Sequence, residues 1–157
     1  MIFLIFNFTE ILPSDCPIDW ENYDNTSCIK FFKKIMNYNN AIIHCQESYN
    51  SGLVFIDSQA KHDFIANIYV DSYTLVKPYW IGLKDVVGDN SIASFQWFQK
   101  NKFLNETGFS IWLHNTTTSY KKQCVYIRDD KWSNVACGQN HKFICQLSNF
   151  YIRVCIF

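Results

Sequence analysis

The sequence predicts a single α+β unit. Three observations predict it: two stretches with a 3.6-residue apolar period come first, short β-type segments fill the chain from Pro78 onward, and no repeat, low-complexity run or internal linker separates them. At 157 residues, with 48% hydrophobic and 18% charged residues, the chain can bury a core of its own. Fourteen basic and fourteen acidic side chains cancel. No net cationic field therefore exists to hold nucleic acid, which is excluded as a partner class.

Taken in order, residues 1–15 read as an extension. The apolar run from Met1 to Phe8 has the length of a signal-peptide core without a basic flank or an A-x-A-like cleavage site. It is read as a truncated or atypical signal, with a buried strand as the alternative. Neither it nor any later segment approaches the roughly 20 apolar residues of a transmembrane helix. Cys16-Pro-Ile-Asp-Trp20 and Cys28-Ile-Lys-Phe-Phe32 read as two extended segments around a polar turn, Asn22 to Ser27. Tyr38, Ala41, Ile42, Cys45 and Tyr49 then mark one face of a helix with Asn37 as N-cap and Gly52 as its end. Leu53 to Ile56 reads as a short strand. Ser58 is expected to cap a second helix whose buried stripe is Phe64, Ile65, Ile68 and Tyr69.

The second half is expected to form short strands at Trp80 to Leu83, Phe95 to Phe98, Cys124 to Arg128 and Lys142 to Cys145. Asp129-Asp130 should turn the third of these back toward Trp132. Gln99 to Gln123 reads as a long, mostly polar loop, a length that in a compact domain signals either function or a wrong element assignment. The last ten residues, 148–157, read as a tail that carries Cys155.

Seven cysteines stand at 16, 28, 45, 124, 137, 145 and 155, with no C-x-x-C among them. That spacing disfavours zinc and points to disulfides formed in an oxidising compartment. Six paired cysteines allow about 15 connectivities, which spacing leaves open. The seventh can pair with another chain or lie in a poorly ordered extension. Four N-x-[ST] sequons begin at Asn7, Asn25, Asn105 and Asn115. This composition would give about two by chance, so secretion gains modest support, with Asn25, Asn105 and Asn115 as candidate glycosylation sites.

Several of these features together resemble the C-type lectin-like domain in its long form. They are Cys16-Pro-x-x-Trp20, Ser27-Cys-x-Lys-Phe31, Gly52-Leu-Val-x-Ile56, Trp80-Ile-Gly-Leu83, Cys124-Val-x-Ile127, Lys131-Trp132 and Phe143-Ile-Cys145. The resemblance spans residues 16–147. It implies two helices and a small twisted antiparallel sheet region with a long loop. It also implies the pairs Cys16–Cys28, Cys45–Cys145 and Cys124–Cys137. In the loop-entropy account the second of these is worth about 4–5 kcal/mol and the third about 3.

Members of that family that bind sugar through calcium use carboxylates and amides around a cis-proline, completed by a Trp-Asn-Asp segment. Calcium needs roughly six to eight hard oxygens, and a cis peptide essentially needs proline. Here no proline follows Pro78, Glu106 is the one carboxylate between Asn90 and Arg128, and the Trp-Asn-Asp position reads Trp132-Ser133-Asn134. Thr116-Thr117-Thr118 occupies the proline position, and Lys121 and Lys122 stand where an acidic ligand is usual. The expectation is an extracellular binding module with no cofactor and no calcium-dependent sugar site. Its candidate ligand loop is Asn115, Thr116, Thr117, Thr118, Tyr120, Lys121 and Lys122, with Asn134 beside it. A protein ligand is the first reading, and calcium-independent carbohydrate binding is the alternative, with Trp112, Tyr120 and Trp132 as candidate stacking faces. Four scattered histidines, no phosphate loop and no nucleophile elbow leave no basis for an enzyme.

Overall fold

The computed structural model describes residues 16–71, 77–113 and 121–148. The candidate signal with Asn7, the loop residues Asn115, Thr116, Thr117, Thr118 and Tyr120, and Cys155 lie outside them. The described chain opens on a hairpin. Glu21–Tyr23 (β1) runs antiparallel to the start of Ser27–Met36 (β2), from Glu21↔Ile29 to Tyr23↔Ser27. Asp24 and Asn25 turn it with φ of 47° and 51°, a left-handed conformation that short polar side chains tolerate. The first extended segment begins five residues later than expected. Cys16 to Trp20 is a turn, closed by Trp20 N–H donating to the Pro17 carbonyl at 3.0 Å with Asp19 at φ 68°.

Tyr38–Tyr49 (α1) starts as expected: the Asn37 side-chain oxygen accepts the Asn40 N–H at 2.9 Å. Tyr38, Ala41 and Cys45 face the core. The helix ends earlier than Gly52, at Asn50, whose left-handed backbone (φ 47°) turns its N–H back to the carbonyls of Cys45 and Gln46. Gly52 instead opens a two-residue strand, Gly52–Leu53 (β3). Beyond it the expected strand loses its ladder, because Val54 is shared between neighbours: its N–H donates to Ile144 O at 2.9 Å and its carbonyl accepts from Gly82 N at 2.8 Å.

Gln59–Asp71 (α2) is capped by Ser58, whose hydroxyl accepts the Lys61 N–H at 3.3 Å. Its buried residues are Lys61, His62 and Ile65, with Phe64 and Ile68 only half-buried, so the buried face is turned from the expected stripe. The Tyr69 side chain lies outside the described residues. The reason for the rotation is Lys61. Its ammonium donates to Gln146 Oε1 at 2.8 Å and lies 5.5 Å from the ring centres of Tyr23 and Phe55.

Tyr79–Asp85 (β4), Phe95–Trp97 (β5), Lys102–Phe103 (β6), Cys124–Arg128 (β7), Lys131–Val135 (β8) and His141–Ser148 (β9) complete a sheet whose main path runs β1-β2-β9-β4-β5-β6. All pairs are antiparallel except β4 with β9, which is parallel, so the sheet is mixed. The expected long loop is partly structured by β6 and a one-turn helix, Leu104–Thr107 (α3), closed by Gly108 at φ 66°. Asp129 and Asp130, both at positive φ, join Arg128 to Lys131 in a two-residue hairpin turn. Gly82 is required by close approach, since a Cβ there would lie 2.8 Å from the Leu53 carbonyl oxygen.

The sheet separates two cores. Facing α1, Phe32 stacks on Phe143 at 5.0 Å, and Trp80 donates its indole N–H to Met36 O at 2.9 Å. Around α2 and under the loops, Val54, Ile65, Ile81, Leu83, Trp97, Val125 and Trp132 form the other. Three disulfides join Cys16–Cys28, Cys45–Cys145 and Cys124–Cys137. The second spans 100 residues and ties α1 to β9.

Candidate functional site

The site is built where β4, the β7–β8 hairpin and the segment before residue 114 come together. Trp132 forms its floor. It is buried and nearly perpendicular to Trp97 (86°, 5.5 Å) and Trp112 (86°, 5.8 Å), and Phe109 meets it at 5.7 Å. Backbone bonds on both sides of Trp132, to Ile111 O and from Leu113 N at 2.9 Å each, fix the chain entering residues 114–120. The chain leaving them is fixed as well. Gln123 O accepts the Asp85 N–H at 2.8 Å and Lys122 O accepts from Asn134.

Asp85 organises the adjoining loop of residues 86–91. Its carboxylate is fully buried, with Oδ1 accepting the N–H groups of Val87 (3.0 Å) and Gly88 (2.7 Å) and Oδ2 accepting that of Asn90 (2.7 Å). Gly88 supplies the positive φ of 89° that lets three N–H groups converge. Asp89 repeats the device at the surface. Hydrogen bonds from the Ser94 hydroxyl (2.6 Å) and Ser91 N–H (2.8 Å) hold its carboxyl below the usual carboxylate range.

Asn134 does not face a ligand, contrary to expectation. It is 7% exposed, and its amide nitrogen donates at 2.9 Å to both Asn90 Oδ1 and Lys122 O. It acts as a joist between the two loops. Trp132 offers no stacking face, being covered on all sides, and Trp112 is half-buried against Phe95 at 5.1 Å. Lys121 is exposed and Lys122 half-buried at the edge of the site. Among the described residues, no three His, Cys, Asp or Glu side chains converge on a point that could hold a metal ion.

Beside exposed Asp89, Ser91 and Lys121, this end presents several apolar side chains outward. Val86, Val87, Ile92 and Leu113 are 46%, 69%, 52% and 39% exposed. Sequence reasoning does not single these residues out. Its one signal is Asp85-Val-Val-Gly-Asp-Asn90, where adjacent valines sit inside an otherwise turn-like run. Of the candidate glycosylation sites, Asn25 on the β1–β2 turn and Asn105 on α3 are exposed, while Asn115 lies outside the described residues. Beneath the site, His62 meets the hairpin turn at Asp130. Burial pushes its imidazole pKa below the ordinary value, and its Nδ1 has no partner.

Comparison with known proteins agrees with this geometry. The family model of the lectin C-type domain matches residues 34–147. The alpha subunit of snaclec alboaggregin-A from Trimeresurus albolabris is 32% identical over 138 residues, covering 84% of this chain and 98% of that protein. One of the subunits of the snaclec coagulation factor IX-binding protein from Protobothrops flavoviridis is 31% identical, covering 84% of this chain and 99% of that protein. Among solved structures, human lithostathine shares the fold with a TM-score of 0.74 at 24% identity, covering 85% of this chain and all of that one.

Proposed function

The chain belongs to the C-type lectin domain family, and from that premise we propose that it is an extracellular, non-enzymatic recognition module that binds a protein partner at its loop end without calcium. The carrying observation is the exposed apolar group Val86, Val87, Ile92 and Leu113 over a rigid floor. Apolar surface of this kind is matched by another protein's surface, not by hydroxyl-rich sugar. One relative is itself named as a coagulation factor IX-binding protein, which supports a protein ligand here. Three disulfides support secretion into an oxidising compartment, as do the exposed sequons at Asn25 and Asn105.

The residues do not fit a calcium ion. Both oxygens of Asp85 are taken by backbone N–H groups, and the Asn134 amide donates into the protein. Lys121 and Lys122 add positive charge where a cation would need carboxylates. The candidate ligand loop is Asn115, Thr116, Thr117, Thr118, Tyr120, Lys121 and Lys122, of which the first five lie outside the described residues. Cys155 remains after three intrachain pairs are formed, and it is the thiol that would join a second chain. Both snaclec relatives described above are named as subunits.

The test is an extracellular interaction screen with oxidatively refolded protein, in calcium and in EDTA. A protein partner bound equally in both, and lost in Val87→Asp and Ile92→Asp variants that keep the wild-type melting temperature, is the expected result. EDTA-sensitive binding, or a glycan bound in preference to any protein, overturns the reading. Non-reducing electrophoresis checks the second point: a dimer that a Cys155→Ser variant no longer forms.

A further inference from the structure

A cavity of about 200 Å³ opens between α1, β3 and the tight turn Phe98–Lys100 that follows β5. Ile42 from α1, Leu53 from β3 and Phe98 form its apolar walls. Gly52 and Gly82 line it with backbone alone, and Gln46, Ser51 and Gln99 are its polar groups. None of these residues carries a charge. Gln46 and Phe98 are exposed, Phe98 at 53%, so the cavity reaches solvent at that rim. It shares no residue with the exposed group Val86, Val87, Ile92 and Leu113.

One of the polar groups lacks a partner. The Gln99 amide lies across Gly52, where a Cβ would stand 2.8 Å from Gln99 Cδ. Its Nε2 donates to the Gln146 carbonyl at 3.3 Å, and a carbonyl accepts only from the nitrogen, which fixes the orientation of the amide. Oε1 is left buried with no partner among the described residues. A buried acceptor without a donor costs stability that an arriving N–H or O–H restores. Ser51 does not supply it, because its hydroxyl donates to the Cys45 carbonyl at 2.9 Å. A small rotation of the amide, which the long bond to Gln146 allows, brings Oε1 to a donor in the cavity. Water is a poor occupant here, because it needs roughly two to four polar partners. Ile42, Leu53 and Phe98 offer none.

We propose that this cavity binds a small, neutral aromatic molecule of indole size whose one N–H donates to Gln99 Oε1. Volume sets the size: a closed apolar cavity of about 150 Å³ takes a benzene ring, and this one is larger. The uncharged lining sets the neutrality, since an ion would be buried unpaired. The orphaned acceptor sets the donor, and Ile42, Leu53 and Phe98 supply the apolar contact. This site is separate in place and in chemistry from the protein-binding face, and each can fail without the other.

The experiment titrates indole into the full-length, oxidatively refolded protein and follows backbone amide NMR shifts. Benzofuran, a ring of the same shape without a donor, is titrated in parallel. Indole should saturate with a Kd of about 0.1–1 mM, with shifts centred on Gly52, Gly82 and Gln99. Benzofuran should bind about fivefold more weakly. Gly52→Ala pushes the Gln99 amide aside and should weaken indole more than benzofuran. Phe98→Ala, at an exposed position, should keep the wild-type melting temperature and weaken both ligands about threefold. Equal affinity of the wild type for indole and benzofuran overturns the proposal, whatever the variants do. So does the absence of saturable shifts up to about 5 mM indole. Shifts centred on residues 86–92 overturn it too, and they leave protein binding at that face standing.

Discussion

The α1 side of the sheet and the described part of the loop end are held in place by different means. On the α1 side the cohesion is covalent and apolar: Cys45–Cys145, the Phe32–Phe143 stack and Trp80 locked by its indole N–H. None of these depends on pH, and only the hydrogen bond is strongly directional. At the loop end, the parts that shape the surface are polar groups turned inward, Asp85 and Asn134, each serving several partners. A loop held this way can vary its outward side chains freely, because none of them does the holding. The same arrangement makes it fragile at two residues.

Replacing both Cys45 and Cys145 by Ala should give the largest loss, about 4 kcal/mol by urea unfolding, because a 100-residue closure is released. The loop end should be ordered whenever the rest of the domain is folded. If loop protection from hydrogen exchange vanishes first, the two regions are less separate than described. Asp85→Ala is next. It strands the buried N–H of Asn90 and the part-buried N–H groups of Val87 and Gly88, and should cost about 3 kcal/mol, with hydrogen exchange accelerated at residues 86–91 and the α1 side unchanged. Asn134→Ala should act in the same place at about 1–2 kcal/mol.

Acid should act on both regions through histidines. His44, His62 and His141 all sit below the ordinary value of 6.5, chiefly because burial disfavours the imidazolium. The unfolded chain therefore binds more protons just below that value. Stability should be full above about pH 6.5–7 and decline as pH falls below it. Melting curves across pH 7.5 to 4.5 check this, and His62→Gln should flatten the slope most at the loop end. The smallest effect is expected at Lys61, whose pKa burial lowers to about 8. Lys61→Met should be neutral or slightly stabilising at pH 7. The reason is that Gln146 Oε1 keeps its bond from Phe55 N at 3.0 Å while a buried charge is removed.

Much of the α1 side can be read from residue spacing. The i, i+3, i+7 pattern of Tyr38, Ala41 and Cys45 is a local property, and so is the Asn37 cap. Trp80-Ile-Gly-Leu83 is legible for a similar reason, since a glycine inside an apolar strand marks a close backbone approach, here to Leu53. The loop end is harder. Nothing local distinguishes Asp85 from a solvated turn acid, because its three partners are backbone groups whose direction depends on the turn itself. Asn134 depends on Asn90, 44 residues away, and Lys61 on Gln146, 85 residues away. Periodicity places a lysine on the wet face of a helix unless the distant acceptor is known. The helix end at Asn50 illustrates a smaller miss, as asparagine can take the left-handed turn that glycine was expected to supply.

The register Ser27↔Ser148 lays the start of β2 alongside the finish of β9. The first long strand and the last strand are bonded neighbours, with the Cys16–Cys28 clasp at the same corner. The domain is a bead that can be threaded into a host's surface turn without prying that turn apart. It can also be re-cut: a few flexible residues bridging this corner would let new ends be opened elsewhere, with every ladder in the sheet retained.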